Sequence, residues 1–191
     1  MANKYSMLYV KDLGVGFIHN PKSAGTSITK WFKENFDCID IRKHGNHVEF
    51  FDFFPTASFT FGVVRNPWAR LVSWYNFVGT TMTFEDWIAH NFQPYQKIGL
   101  TFNPSNKPLT TWYRVCTPQY DWFGDNLDVV IKYENLEAEF SVVKTYTGCT
   151  KPLTIENKSA TVDYRSYYSD NLATIVGDVF AKDIVKYDYE F

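Results

Sequence analysis

The chain has 191 residues, 45% hydrophobic and 21% charged, with a formal net charge of −2. That length supports one full core, spanning 1–191 as a single domain, and is short for two ordinary α/β domains. Interspersed charges of both signs leave no broad basic footprint for nucleic acid or an anionic membrane, and Cys38, Cys116 and Cys149 lack the spacing of a metal site or a disulfide framework.

The first element in chain order is the apolar run Val15-Gly16-Phe17-Ile18-His19, which reads as a buried strand. Pro21-Lys22-Ser23-Ala24-Gly25-Thr26-Ser27 follows it. Ile28, Trp31, Phe32 and Phe36 then fit one face of a helix. A strand, a tight turn holding Gly25 and a helix opening at Thr26 or Ser27 gather backbone N–H groups and the positive end of a helix dipole at one point. An anionic group is the natural occupant. Lys22 adds a full charge there, and the hydroxyls of Thr26 and Ser27 add donors for phosphate oxygens. The spacing differs from the nucleotide triphosphatase loop, in which Lys directly follows the last Gly, whereas Lys22 precedes Gly25. The plainer alternative is an ordinary strand-to-helix turn with a Ser or Thr N-cap.

His44 and His47 flank Gly45-Asn46 and read either as loop residues or as groups that titrate near neutral pH. His19, ending a buried strand, and His90, in a helical stretch, read as structural. Phe59 to Val64 is strand-like, Asn66 is a good N-cap, and Pro67 suits a first helical position. In the helix that follows, Trp68, Leu71, Val72 and Tyr75 share one face while Arg70 and Ser73 fall on another. Arg65 sits at the strand's carboxyl end, the edge where open α/β sheets bind ligands. An Arg there with a helix Ser suits a phosphate monoester; a surface Arg and a solvated Ser are the alternative.

The stretch from Val78 to Gly124, with Trp87, Phe92, Pro94, Tyr95, Trp112, Tyr113, Trp122 and Phe123, suggests helices and loops over one end of the sheet. Its aromatics suit sugar faces or phenolic rings, or complete the core. Asn126 to Leu136 reads as a hydrophobic strand leading into a helix. Asn157-Lys158-Ser159 precedes a helix with an apolar face at Leu172, Ile175, Val176, Val179 and Phe180. The first twenty residues hold no apolar core with a cleavage site, and no run nears about 18 apolar residues. A soluble cytoplasmic protein without a membrane partner is expected, plausibly bacterial or viral.

Together, Pro-Lys-x-x-Gly-Thr-Ser after a strand and the later Val-Arg-Asn-Pro-x-x-Arg-Leu-Val-Ser-x-Tyr resemble the paired signatures of sulfotransferases that use 3′-phosphoadenosine-5′-phosphosulfate (PAPS). The segment from His44 to Phe53 is similar to a His-Gly-His segment of the heparan and uronyl 2-O-sulfotransferase branch, with one extra residue between the histidines. The resemblance implies an α/β fold: a single-domain parallel sheet flanked by helices, of the P-loop NTPase-like sulfotransferase type. It also implies that Lys22, Ser23, Gly25, Thr26 and Ser27 hold the 5′-phosphosulfate and that Arg65 and Ser73 hold the 3′-phosphate. His47 corresponds to the general base with His44 as its neighbour, Lys22 stands near the bridging oxygen, and Lys158 or Arg165 belongs to a loop covering the cofactor.

The expected activity is sulfuryl transfer from PAPS to a hydroxyl of a small molecule or glycan, most readily a carbohydrate, leaving 3′,5′-ADP and using no metal. The net charge argues against a strongly anionic polymer as acceptor. Two alternatives stand beside it: a P-loop kinase or other phosphoryl transferase using ATP, and a catalytically silent nucleotide-binding protein of the same fold.

Overall fold

Alternation of large and absent side chains along two neighbouring strands sets the architecture. The structure, a computed structural model, describes residues 7–41, 45–90, 117–156 and 163–191. Strand β2 (Val15–Ile18) pairs in parallel with β4 (Phe59–Val64), bringing Phe17 beside Phe61 and Gly16 beside Thr60. Strand β5 (Val129–Lys132) adds to β4, again in parallel. Two short strands extend the other edge antiparallel, β1 (Met7–Val10) on β2 and β3 (Ile39–Ile41) on β1, giving the order β3-β1-β2-β4-β5. The parallel centre matches the expectation from sequence. The antiparallel extension was not foreseen, because β1 and β3 lie outside the segments read as strands.

The two faces of this sheet differ in kind. On one, Phe17, Phe61 and Val63 pack with Ile28, Trp31 and Phe32 of helix α1 (Gly25–Asn35) in a continuous apolar core. The other face is opened by glycine. A Cβ at Gly16 would lie 2.2 Å from the ring tip of Phe50, and one at Gly62 would lie 2.4 Å from the ring of Phe123. Helix α2 (His47–Phe53) and a short helix at Gln119–Phe123 therefore approach the sheet backbone closely.

Contacts divide the chain into two compact units, Met1–Arg65 with Gln119–Lys158, and Asn66–Pro118 with Ser159–Phe191. The first holds the sheet. The second is helical, with α3 (Pro67–Val78), a helical stretch at 84–90, and the helices Asp170–Val179 and Ala181–Tyr187. Its core joins Trp68, Leu71 and Val72 to Leu172, Val176 and Phe180. Asn66 caps α3 as expected, its side chain accepting from the N–H groups of Trp68 and Ala69. The helix is buried on more than its apolar stripe, since Arg70 is 1% exposed and donates to the Thr117 carbonyl at 3.2 Å.

Trp87 is buried in the second unit, and Trp122 and Phe123 in the first, whereas Phe92, Pro94, Tyr95, Trp112 and Tyr113 lie outside the described residues. Among the described residues no helix is long and apolar enough to cross a membrane. Because Phe50 is fully buried and has no room to retreat, Gly16→Ala is expected to destabilise by about 1–3 kcal/mol. Thermal melting should show a drop of roughly 2–10 °C for a chain of this size; an unchanged melting point would mean the ring does not sit on the strand.

Candidate functional site

The turn between β2 and α1 is built from strained backbone and buried amides. Lys22 has φ +68° and Ala24 φ +58°, both in the left-handed region that non-glycine residues rarely occupy. Each costs about 1–3 kcal/mol, so the surrounding structure must impose them. Helix α1 opens at Gly25 with Ala24 as its N-cap and no side-chain cap. The helix thus starts ahead of the expected opening at Thr26 or Ser27, and the plainer alternative of a Ser or Thr N-cap does not hold, because the left-handed Ala24 takes that position.

Burial alternates along this stretch. Ser23, Gly25 and Ser27 are buried, whereas Lys22, Ala24 and Thr26 are partly exposed. The imidazole of His19 lies directly beneath Gly25, where a Cβ would come within 1.8 Å of Nε2. His19 stacks on Phe17, and burial pulls its pKa down to about 4 against a smaller opposing effect of Asp40, so it is neutral at pH 7. The Ser23 hydroxyl accepts from the Asn20 side chain at 3.2 Å. That of Ser27 accepts from the Glu156 N–H at 2.9 Å, which leaves its proton to donate elsewhere.

Arg65 follows directly on β4. One of its guanidinium nitrogens, Nη1, donates to the Lys22 carbonyl at 3.3 Å, and the guanidinium lies 4.4 Å over the ring of Tyr133, which follows directly on β5. Its backbone is held by Gln119, whose Oε1 accepts the Arg65 N–H at 2.9 Å and whose Nε2 donates to the Arg65 carbonyl at 2.7 Å. The lysine and the arginine thus meet at the carboxyl ends of the parallel strands. Burial, and then the neighbouring Arg65 charge, lower the Lys22 pKa from 10.5 to about 8.

His47 is the first residue of α2, behind Asn46, whose side chain caps the helix by accepting from Glu49 N–H. Its Nδ1 lies 3.2 Å from the Trp122 carbonyl, an acceptor only, so Nδ1 donates and in the neutral ring Nε2 keeps its lone pair. Gly124 leaves room beside the ring, since a Cβ there would lie 2.9 Å from Nε2. The short helix at Gln119–Phe123 therefore orients both Arg65, through Gln119, and His47, through Trp122.

Ser73 belongs to the second unit, 7% exposed on α3. Arg165, in the same unit, stacks on Tyr164 at 4.8 Å and pairs with Asp163 at 3.6 Å. His44 and Lys158 lie outside the described residues. Among the described residues no cluster of His, Cys, Asp or Glu is arranged to hold a metal ion. A hollow of about 290 Å³ lined by Leu136, Glu137, Leu153, Thr154 and Ile155 contains none of the candidate residues. Sequence reading missed Asn20 and Gln119 as supports of the site, because isolated amides carry no spacing signal.

A family model described as the sulfotransferase family matches residues 6–190, and the chain belongs to that family. No curated protein matches it. Among solved structures it is similar to a sulfotransferase from Alicyclobacillus acidocaldarius, at 17% identity and a TM-score of 0.41 over 74% of this chain. The chain spans 58% of that protein.

An anion seated against Lys22 would draw a proton onto it once the pH exceeds about 8. Affinity for 3′,5′-ADP is expected to fall by up to about tenfold per pH unit above that point, and Lys22→Arg should flatten the slope because guanidinium stays protonated. The unliganded protein should show the opposite sign: its folded-state Lys22 pKa lies below the unfolded value, so stability rises between about 8 and 10.5. Calorimetric titration across this range checks both, and a pH-independent affinity would contradict the assignment.

Proposed function

We propose that the protein transfers a sulfuryl group from PAPS to the hydroxyl of a carbohydrate acceptor, residues 1–191 acting as one catalytic domain. The observation that carries this reading is the meeting of Lys22 and Arg65 at the uncapped N-terminus of α1, on a turn held in left-handed backbone. Two cations and a helix terminus suit a ligand with several anionic groups. The family match supports sulfuryl transfer in preference to phosphoryl transfer.

In this reading Lys22, Ser23, Gly25, Thr26 and Ser27 take the phosphosulfate end. The contributions differ: backbone N–H groups at Gly25 to Ser27, side chains at Lys22 and Thr26, and internal bracing at Ser23. Arg65 and Ser73 take the 3′-phosphate, and Lys158 covers the bound nucleotide. His47 Nε2 accepts the acceptor's proton as its oxygen attacks sulfur, while the sulfur bond to the bridging oxygen breaks. Lys22 and the helix terminus stabilise the charge appearing on the departing phosphate, and His44 assists at the acceptor side.

The test is 3′,5′-ADP formation from PAPS with a panel of sugars, phenols and tyrosine peptides. Acceptor-dependent turnover with sugars is expected. His47→Ala should lower turnover by about a hundredfold to ten-thousandfold with 3′,5′-ADP affinity nearly unchanged, whereas Lys22→Ala should depress turnover more than binding. Stabilisation by ATP with magnesium but not by 3′,5′-ADP would overturn the reading in favour of a phosphoryl transferase. Nucleotide binding without any turnover would identify a silent binding protein.

A further inference from the structure

The amide side chains of Asn20 and Gln119 meet at the centre of this site, and both are almost wholly buried, at 1% and 0% exposure. Gln119 engages the two backbone polar groups of Arg65 at once, accepting from its N–H at 2.9 Å and donating to its carbonyl at 2.7 Å. This is the pattern a neighbouring strand would make, supplied beyond Val64 and Lys132, the last pair of the β4–β5 ladder. The same Oε1 accepts from Asn20 Nδ2 at 2.8 Å. Asn20 Nδ2 in turn reaches the Val63 carbonyl at 3.1 Å and the Ser23 hydroxyl at 3.2 Å. A continuous chain of hydrogen bonds therefore runs from the Lys22 turn, through two buried carboxamides, to the backbone of Arg65.

We propose that Asn20 and Gln119 are a pair of positioning residues that set the arginine reading one end of the nucleotide relative to the turn reading the other. The inference rests on the bisphosphate reading above and adds residues that touch no ligand. Arg65 has a long side chain, and its aim depends on a fixed backbone with Tyr133 beneath it and the Lys22 carbonyl beside it. A carboxamide suits this task because it presents a donor and an acceptor side by side, matching the acceptor and donor of one residue's backbone. Removing it leaves buried polar groups on Arg65 and Asn20 without that partner, and the local backbone must shift to recover hydrogen bonds. A role in stability alone would weaken the site as a whole; a positioning role weakens recognition of the 3′-phosphate selectively.

The affinities of 3′,5′-ADP and 5′-AMP are measured by calorimetry for the unmutated protein, for Gln119→Met, which keeps side-chain length without the amide, and for the milder Asn20→Ser. Thermal melting verifies that each variant folds. The unmutated protein should prefer 3′,5′-ADP, and each folded variant should lose about tenfold or more of that preference, about 1.4 kcal/mol. If Gln119→Met fails to melt cooperatively, Asn20→Ser decides. An unchanged preference in the folded variants, or parallel loss of both nucleotides, overturns the proposal. An unmutated protein that binds both nucleotides equally overturns the bisphosphate reading itself and this inference with it.

Discussion

Lys22, in the turn before α1, and Arg65, directly after β4, are like charges held together at the positive N-terminal end of a helix dipole. Folding does not favour that arrangement: the cost is visible in a lysine whose pKa is lowered to about 8 by burial and by its neighbour. The backbone adds to it, with two non-glycine residues in left-handed conformation close together. Strain and repulsion gathered at the carboxyl ends of the parallel strands are offset by the buried packing around them, and the repulsion is of the kind an anion would relieve. Burial keeps His19 neutral beneath the turn, Gly25 leaves room for its ring, and two buried amides brace the turn from behind.

The second face of the sheet serves the same end. Gly16 and Gly62 allow Phe50 and Phe123 to sit against the strands, which brings in the helices that carry His47 and Gln119. A packing feature of the core thus fixes the tautomer of one candidate base and the backbone of one candidate phosphate ligand. The rigid parallel strands supply the frame, and short elements resting on glycines supply the chemistry.

Much of this was legible in the sequence wherever a local rule applied. Val15–Ile18 and Phe59–Val64 announced themselves as apolar runs, and Asn66-Pro67 as a helix start. The turn at Lys22 and Gly25 was readable from residue types, because a cation and a glycine between an apolar strand and an amphipathic helix suit an anion at the helix start. Where the outcome depended on tertiary contacts the sequence was silent or misleading. Thr26 or Ser27 looked like the opening of the helix, yet it starts at Gly25 behind a left-handed Ala24. Arg70 and Ser73 looked like a polar face, but the helical unit buries both. Gln119 belongs to the site through hydrogen bonds across more than fifty residues of chain, which no periodicity records.

The central claim is that the amide groups opening α1 form the seat of an anionic nucleotide. A titration with 3′,5′-ADP followed by amide chemical shifts in nuclear magnetic resonance tests it most directly. The largest changes are expected at the N–H groups of Gly25, Thr26 and Ser27, with the Arg65 side-chain N–H moving alongside them. Those signals staying fixed while changes gather around the hollow lined by Leu136 and Leu153 would contradict the account.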